Sequence, residues 1–214
     1  RDASDEVKKL AEKLKAPLIY SLMGKGVLSD KHPLNIGMIG MHGTGAANYA
    51  VHECDLMFAI GARFDDRATG DEVNFAKNAK IIHLDIDKKE FDKIIKGDIH
   101  LHDDSAIGLF KLLKVMENEV FSHQTAWLKQ IEKWQENHPL IYEKSGKIKP
   151  QEVIEAINAA SEGRAYLTTD VGQHQMWSAQ YYEASSARHF MTSGGLGTMG
   201  FGLPAAVGAQ MGLE

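Results

Sequence analysis

The feature that most constrains this chain is a recurring unit: a short apolar run, a glycine-rich or acidic turn, then a stretch with helical spacing. "PLIYSLMG" (17–24), "DLMFAIGARFDD" (55–66), "AKIIHLDID" (79–87), "RAYLTTDVG" (164–172) and "ARHFMTS" (187–193) are apolar enough to be buried strands. Each runs into glycine, acidic or hydroxyl residues. Between them lie helical patterns at 46–54, at 88–96 ("KKEFDKIIK"), at 105–120, at 150–161 and from about Gln173. Strands that alternate with helices in this way predict a parallel sheet, hence an α/β fold of Rossmann-like type. In such sheets ligands bind beyond the carboxyl ends of the strands, which is where the glycines and acids fall. At 214 residues the chain is long enough for one large or two smaller domains.

Local signals refine the pattern. Ser4 reads as the N-cap of a first helix, with Asp5 and Glu6 in its first turn and Val7, Leu10, Ala11 and Leu14 on one face; Pro17 ends it. The helix at 105–120 is expected to turn Ile107, Phe110, Leu113 and Val115 inward. Residues 37–45, "GMIGMHGTG", read as a glycine-rich loop. The charged, aromatic stretch 121–149 reads as a connector with one helix, and Pro150 sits near the start of the next helix. A second α/β unit is expected from 150, running into "SGGLGTMGFGLPAAVGAQ" (193–210). The chain starts without Met and stops at Glu214 as an apolar helix begins, as expected of a piece of a longer protein.

Composition excludes several classes. A net charge of −5 argues against nucleic-acid or anionic-membrane partners, which favour a basic face. No apolar run approaches the roughly 20 residues a bilayer requires, and no signal or transit peptide is apparent. The single cysteine, Cys54, excludes an internal disulfide framework and fits a reducing compartment such as the cytoplasm. The ten histidines give little ground for a metal site. Walker A and GxSxG motifs are missing, and the strands of the first 120 residues carry no GxGxxG turn.

The motifs themselves admit two readings each. "GMHGTG" (40–45) suits a backbone approach to a phosphate or flat ring as well as a simple tight turn. "GARFDDRATG" (61–70) is either a solvated loop with local ion pairs or a ligand-binding strand end. Asp85 in "LDID" can accept hydrogen bonds from ribose hydroxyls, whereas Asp87 fits a cap for the segment that starts at Lys88. Asp170 and Gly172 end a strand, and His174 by itself is as ordinary as any surface histidine.

Taken in order along the whole chain, "SLMGKG", "GMIGMHGT", "GARFDDRATG", "IIHLDID", "TTDVGQHQMW" and "TSGGLGTMGFGLPAAVGAQ" resemble the acetolactate synthase (acetohydroxyacid synthase) large catalytic subunit family. "GQHQMW" and "RFDDR" separate it from other thiamine-diphosphate enzymes. The resemblance implies a central FAD-binding domain over 1–120, a linker over 121–149 and, from 150 to 214, the start of a thiamine-diphosphate domain. It places Ser21, Leu22, Ile39, Gly40, Met41 and His42 on FAD, followed by Gly61, Ala62, Arg63, Phe64 and Asp65, then Asp85 and Ile86. Asp104 is the last FAD contact it implies, although "HLHDDS" departs there from the family's usual "GD". Arg67 would face the substrate channel. Gln173, His174, Gly197, Thr198 and Met199 would meet thiamine diphosphate, with Met199 filling the gap between its two rings.

The activating glutamate is expected upstream of the chain and the Mg²⁺ ligands downstream, so that these residues by themselves would be inactive. The implied substrates are pyruvate and 2-oxobutanoate. The implied assembly is a dimer or tetramer of catalytic subunits with a small regulatory subunit, in the branched-chain amino-acid pathway. Rival readings are another thiamine-diphosphate carboligase or decarboxylase, a sirtuin-like or NAD-binding module, and an inactive nucleotide-binding fragment. A CxxC zinc pair, which a sirtuin would need, is missing.

Overall fold

The structure, a computed structural model, describes residues 2–122 and 125–213. In chain order it runs α1 (Ser4–Leu14), β1 (Leu18–Tyr20), β2 (Asn35–Met38), α2 (Gly45–Glu53), β3 (Leu56–Ile60), α3 (Asp66–Thr69), β4 (Lys80–Asp85), β5 (Ile99–His102) and α4 (Ser105–Val115). There follow α5 (Thr125–Asn137), α6 (Pro150–Ser161), β6 (Leu167–Thr169), α7 (Gln173–Tyr181), β7 (Phe190–Thr192) and α8 (Gly202–Gly212). Every strand pairing is parallel: β1 with β2, β3 with β4 with β5, and β6 with β7. The expected α/β class is therefore present, as parallel sheets flanked by helices.

Each helix packs for a readable reason. The buried stripe of α1 is Val7, Leu10 and Ala11, at the predicted spacing. Its start differs by one residue: the helix begins at Ser4 itself, and the cap is the Asp2 carboxylate, which accepts from the Ser4 amide at 3.2 Å. Against α1 lies α4, but not by the face expected. Leu109 is fully buried with Leu84, while Leu112, Leu113 and Met116 pack around them; Ile107, Phe110 and Val115 are exposed. The 109–112–113–116 spacing is the helical stripe.

Two further expectations give way. Gly37 and Met38, read as the start of the glycine loop, end strand β2. Asn35 looks like a turn residue, yet its side-chain amide is buried and donates to the Leu28 carbonyl at 2.9 Å, so burial overrides its propensity. Residues 88–96 hold a single 3₁₀ turn, Lys88–Glu90, instead of a helix. Asp92 takes a left-handed φ of 56°, and its carboxylate accepts from the Gly97 amide at 2.9 Å, which turns the chain into β5. That strand, Ile99–His102, is unsignalled because three of its four residues are exposed. The helix expected within the connector is α5; its Ile131 is buried with Ile36 and Ala50, and its Trp134 stacks on Tyr49 at 5.7 Å.

One core cluster draws from both halves of the chain: Tyr20 and Met38 pack with Ala179, Tyr182, Ala184 and Phe190. At its edge Lys25 is buried, and its ammonium lies 2.7 Å from Asp30. The Asp30 carboxylate also accepts from the Tyr20 hydroxyl at 2.9 Å, the Asn35 amide at 3.2 Å and the Ala184 backbone N–H at 2.9 Å. The Asp30 N–H returns a bond to the Ala184 carbonyl at 3.1 Å. Burial pulls the Lys25 amine below the ordinary lysine range, against the opposing pull of Asp30. It also pushes the Tyr20 phenol up.

Candidate cofactor site

The strand ends that carry the candidate residues meet along one edge. The Ile39 amide donates to the Tyr20 carbonyl at 2.9 Å, which sets Ser21 and Leu22 beside the 39–43 turn. Gly61 donates to Leu84 at 2.8 Å, so that the 61–65 segment follows beside Asp85 and Ile86. Asp103 donates to the Asp85 carbonyl at 3.2 Å and brings Asp104 alongside. The two groups are joined because the Met41 amide donates to the Arg67 carbonyl at 3.0 Å. Gly40 makes that approach possible: its φ is +99°, and a Cβ there would run into the Arg67 carbonyl.

The side chains divide into three kinds. Met41, His42, Arg63, Ile86 and Arg67 are exposed along this edge, with Ser21 and Gly61 beside them. Leu22, Ile39, Ala62 and Asp65 are half-buried. Phe64 points the other way: it is 6% exposed, holds a φ of 53°, and meets Phe75 and His83 edge-on in the core. Its backbone, not its ring, faces the site.

The charged residues of this edge are lightly engaged. Arg63 stands 3.8 Å from Asp65 and Arg67 4.0 Å from Asp66, all well exposed. Surface pairs that loose contribute almost nothing, so both guanidinium groups can turn to an anionic ligand. The local-ion-pair reading of "RFDDR" is present in form and negligible in energy. Asp85 is buried and accepts from the Asp87 amide at 2.8 Å, with the imidazole of His83 3.9 Å from its other oxygen. Burial pushes the His83 imidazole down, more than Asp85 holds it up. Asp87 caps the 3₁₀ turn through the Lys89 amide at 2.9 Å, as its sequence position predicts. Asp104 caps α4, accepting from Ala106 at 3.0 Å.

A second row of candidates lies at the ends of β6 and β7. Gln173 and His174 open α7 and are exposed, as are Gly197, Thr198 and Met199. The loop is built on Ser193, whose carbonyl takes the Gly197 amide at 3.0 Å and whose Oγ takes the Thr198 amide at 2.9 Å. Around Gly195 and Gly200 there is open space on the side where a Cβ would stand. A ligand can therefore lie directly on this backbone.

Asp170 anchors the far end of the loop. Its carboxylate accepts from the Phe201 amide at 2.7 Å and the Gly202 amide at 3.2 Å, at the start of α8. The amides of Gly202, Gly200 and Phe201 hold this carboxyl below its ordinary value of 3.8. A carboxyl with a depressed folded pKa adds stability above its unfolded value and loses it as pH falls through the folded one. The start of α8 is accordingly expected to loosen below about pH 3.8, read by amide chemical shifts of 200–204. An Asp170→Asn variant that loosens over the same acid range would reject this role.

The two rows touch. Gly194 is packed against Leu22 and Met23, and the Gln180 side-chain amide donates to the His42 carbonyl at 3.0 Å. Sequence reasoning missed Lys25, Asp30 and Gln180; Asp30 and Gln180 act through Ala184 and His42, 154 and 138 residues away. A cleft beside the first row, about 200 Å³ between Ile39, Asn48, Ala68 and Phe75, is smaller than the about 300–1,000 Å³ of ordinary small-molecule sites. The candidate residues thus form an open edge rather than a closed pocket. Among the described residues no cluster of histidine, cysteine and acidic side chains could hold a metal.

Parallel strands with glycine loops and charged side chains at their carboxyl ends define a cofactor-binding α/β enzyme, and the family comparison specifies which. The central domain of thiamine pyrophosphate enzymes matches residues 1–112, and their C-terminal TPP binding domain matches residues 170–214. The chain belongs to the thiamine pyrophosphate enzymes.

Within that family its relatives include the acetolactate synthase large subunit of Porphyra purpurea, 44% identical over 98% of this chain. That of Lactococcus lactis subsp. lactis is 45% identical over 97%, and the probable acetolactate synthase large subunit of Methanocaldococcus jannaschii is 45% identical over 98%. The chain spans 36% of the length of each of these three relatives. The resemblance read from the motifs is thus borne out, and the sirtuin-like reading falls.

Proposed function

We infer that this chain is part of an acetolactate synthase catalytic subunit. Such an enzyme decarboxylates pyruvate and joins the two-carbon unit to a second pyruvate or to 2-oxobutanoate. The observation that carries the reading is the 44–46% identity to acetolactate synthase large subunits over almost the whole chain. Thiamine diphosphate supplies the carbanion chemistry when bound. The residues here bind and orient: the amides and glycines of 194–200 offer a bare surface, and Gln173 and His174 stand at the N-terminus of α7, which favours an anionic group.

We assign FAD to the first edge. Met41, His42, Arg63 and Ile86 are the side chains exposed toward it, with the backbone of Gly61, Ala62 and Phe64 between them. Asp85 and Asp104 each already hold backbone amides, which limits them to a share in any ribose contact. The reading includes Mg²⁺ bound by residues outside this chain, oligomers of catalytic subunits, and a small regulatory partner. A cytoplasmic setting goes with it, supported by Cys54, the only cysteine, whose thiol is free and pushed up by burial.

Full-length protein supplied with thiamine diphosphate, Mg²⁺ and FAD should convert pyruvate to acetolactate. Decarboxylation to acetaldehyde without acetolactate would transfer the chain to another branch of the family. Arg63→Ala should weaken FAD about tenfold to a hundredfold, the loss of one charge-assisted hydrogen bond, in a flavin fluorescence titration. Parent affinity in that variant would remove Arg63 from the site.

A further inference from the structure

The structure brings α7 into contact with both candidate cofactor rows. Its first residues, Gln173 and His174, belong to the row at the ends of β6 and β7. Gln180 lies seven residues later, two turns and about 10 Å along the same helix face. There its amide donates to the His42 carbonyl at 3.0 Å, a contact between residues 138 apart in sequence.

The helix between these ends is firmly held. Gln175, Ser178 and Ala179 are buried, and the Gln175 amide donates to the Thr192 hydroxyl at 2.6 Å, tying α7 to β7. At the next residue after the helix, Tyr182 is 1% exposed and donates its hydroxyl to the Ala165 carbonyl at 2.9 Å. The helix is thus tied at Gln175 and Tyr182 to the segments around β7 and β6.

The acceptor matters as much as the donor. The His42 carbonyl belongs to the tight turn in which Gly43 donates to the Gly40 carbonyl at 2.9 Å. Fixing the peptide plane between His42 and Gly43 fixes how Met41 and His42 project from the turn. Both side chains are exposed, so no packing of their own does this.

We propose that Gln180 is a positioning residue that couples the two cofactor sites, by holding the flavin-side turn to the helix that begins at the thiamine side. This rests on the cofactor assignment made above. It requires that thiamine diphosphate, by fixing the start of α7, raises the affinity for FAD, and by reciprocity the reverse.

The test is a pair of flavin titrations on full-length protein, with and without thiamine diphosphate and Mg²⁺, followed by flavin fluorescence. In the parent, thiamine diphosphate should tighten FAD. Gln180→Glu keeps the shape and removes the donor; it should reduce the tightening by about twofold to tenfold, the range of one neutral hydrogen bond. Gln180→Lys restores a donor of sufficient reach and should recover part of the coupling. The FAD affinity measured without thiamine diphosphate should change less than the coupling does.

Equal tightening in parent and Gln180→Glu would overturn the proposal, as would a parent with no tightening at all. A protein that binds neither cofactor overturns the assignment beneath it and the proposal together. One that binds both without coupling overturns the proposal alone.

Discussion

Asp30→Ala is expected to destabilise the protein by about 3–5 kcal/mol, the usual result of removing one partner of a buried ion pair. The Lys25 side chain is 2% exposed and that of Asp30 11%, so no water replaces the lost carboxylate. The ammonium would be left with the Tyr20 hydroxyl at 3.2 Å and the rings of Tyr20 and Phe190, 5.4 Å and 5.9 Å away. The Tyr20 hydroxyl, the Asn35 amide and the Ala184 N–H would lose an acceptor at the same time.

Lys25→Met offers the contrast. It leaves the Asp30 carboxylate with three donors, and should cost distinctly less than Asp30→Ala. Urea denaturation of both variants decides the matter: coincident midpoints would mean that the pair is not the buried constraint it looks. The pH dependence has a defined sign. Lys25 has a folded pKa below the ordinary 10.5, so between the two values the unfolded chain binds the extra proton and this group's contribution rises with pH. Tyr20, whose folded pKa is raised above 10.0, opposes it, since its contribution falls as pH climbs past the unfolded value.

The second large effect is expected at Met199. For an average methionine, core packing would explain the residue. Here the side chain is 81% exposed, between Gly197 and Gly200 with φ of +69° and +79°. A long, unbranched, polarizable group on bare backbone suits an irregular gap between aromatic rings, as the two-ring thiamine cofactor offers. In full-length enzyme Met199→Ala should lower kcat about tenfold to a thousandfold, as losses of positioning do, while leaving the urea midpoint and flavin content unchanged. Turnover at the parental rate with saturating thiamine diphosphate would reduce Met199 to an incidental surface residue.

The strands that could be read from sequence were those whose burial is written in unbroken apolar residues, as in "DLMFAI" and "AKIIHL". The ones that could not were β2, whose Asn35 and Gly37 read as turn residues although Ile36 and Met38 enter the core, and β5, an edge strand with His100 and His102 alternating in the open. Helical spacing identified the stripe of α1. On α4 it was misassigned, because Ile107 and Phe110 are as apolar as Leu109 and Leu112 and only the neighbouring β4 and α1 decide between them. The candidate residues at strand ends were legible because strand, glycine and charge sit next to one another in the chain. The junction was not, since Asp30 means nothing without Ala184, nor Gln180 without His42.

That junction bears on the order in which the chain assembles. The bond from Ala184 to Asp30 spans 154 residues, so it joins the segment between β1 and β2 to the segment before β7. Contacts of such separation close the longest loops and slow folding. Until then Lys25 keeps its hydration shell and Tyr20 and Phe190 remain uncovered. The desolvation of one lysine is thus expected late in folding, once the loop between residues 30 and 184 has closed.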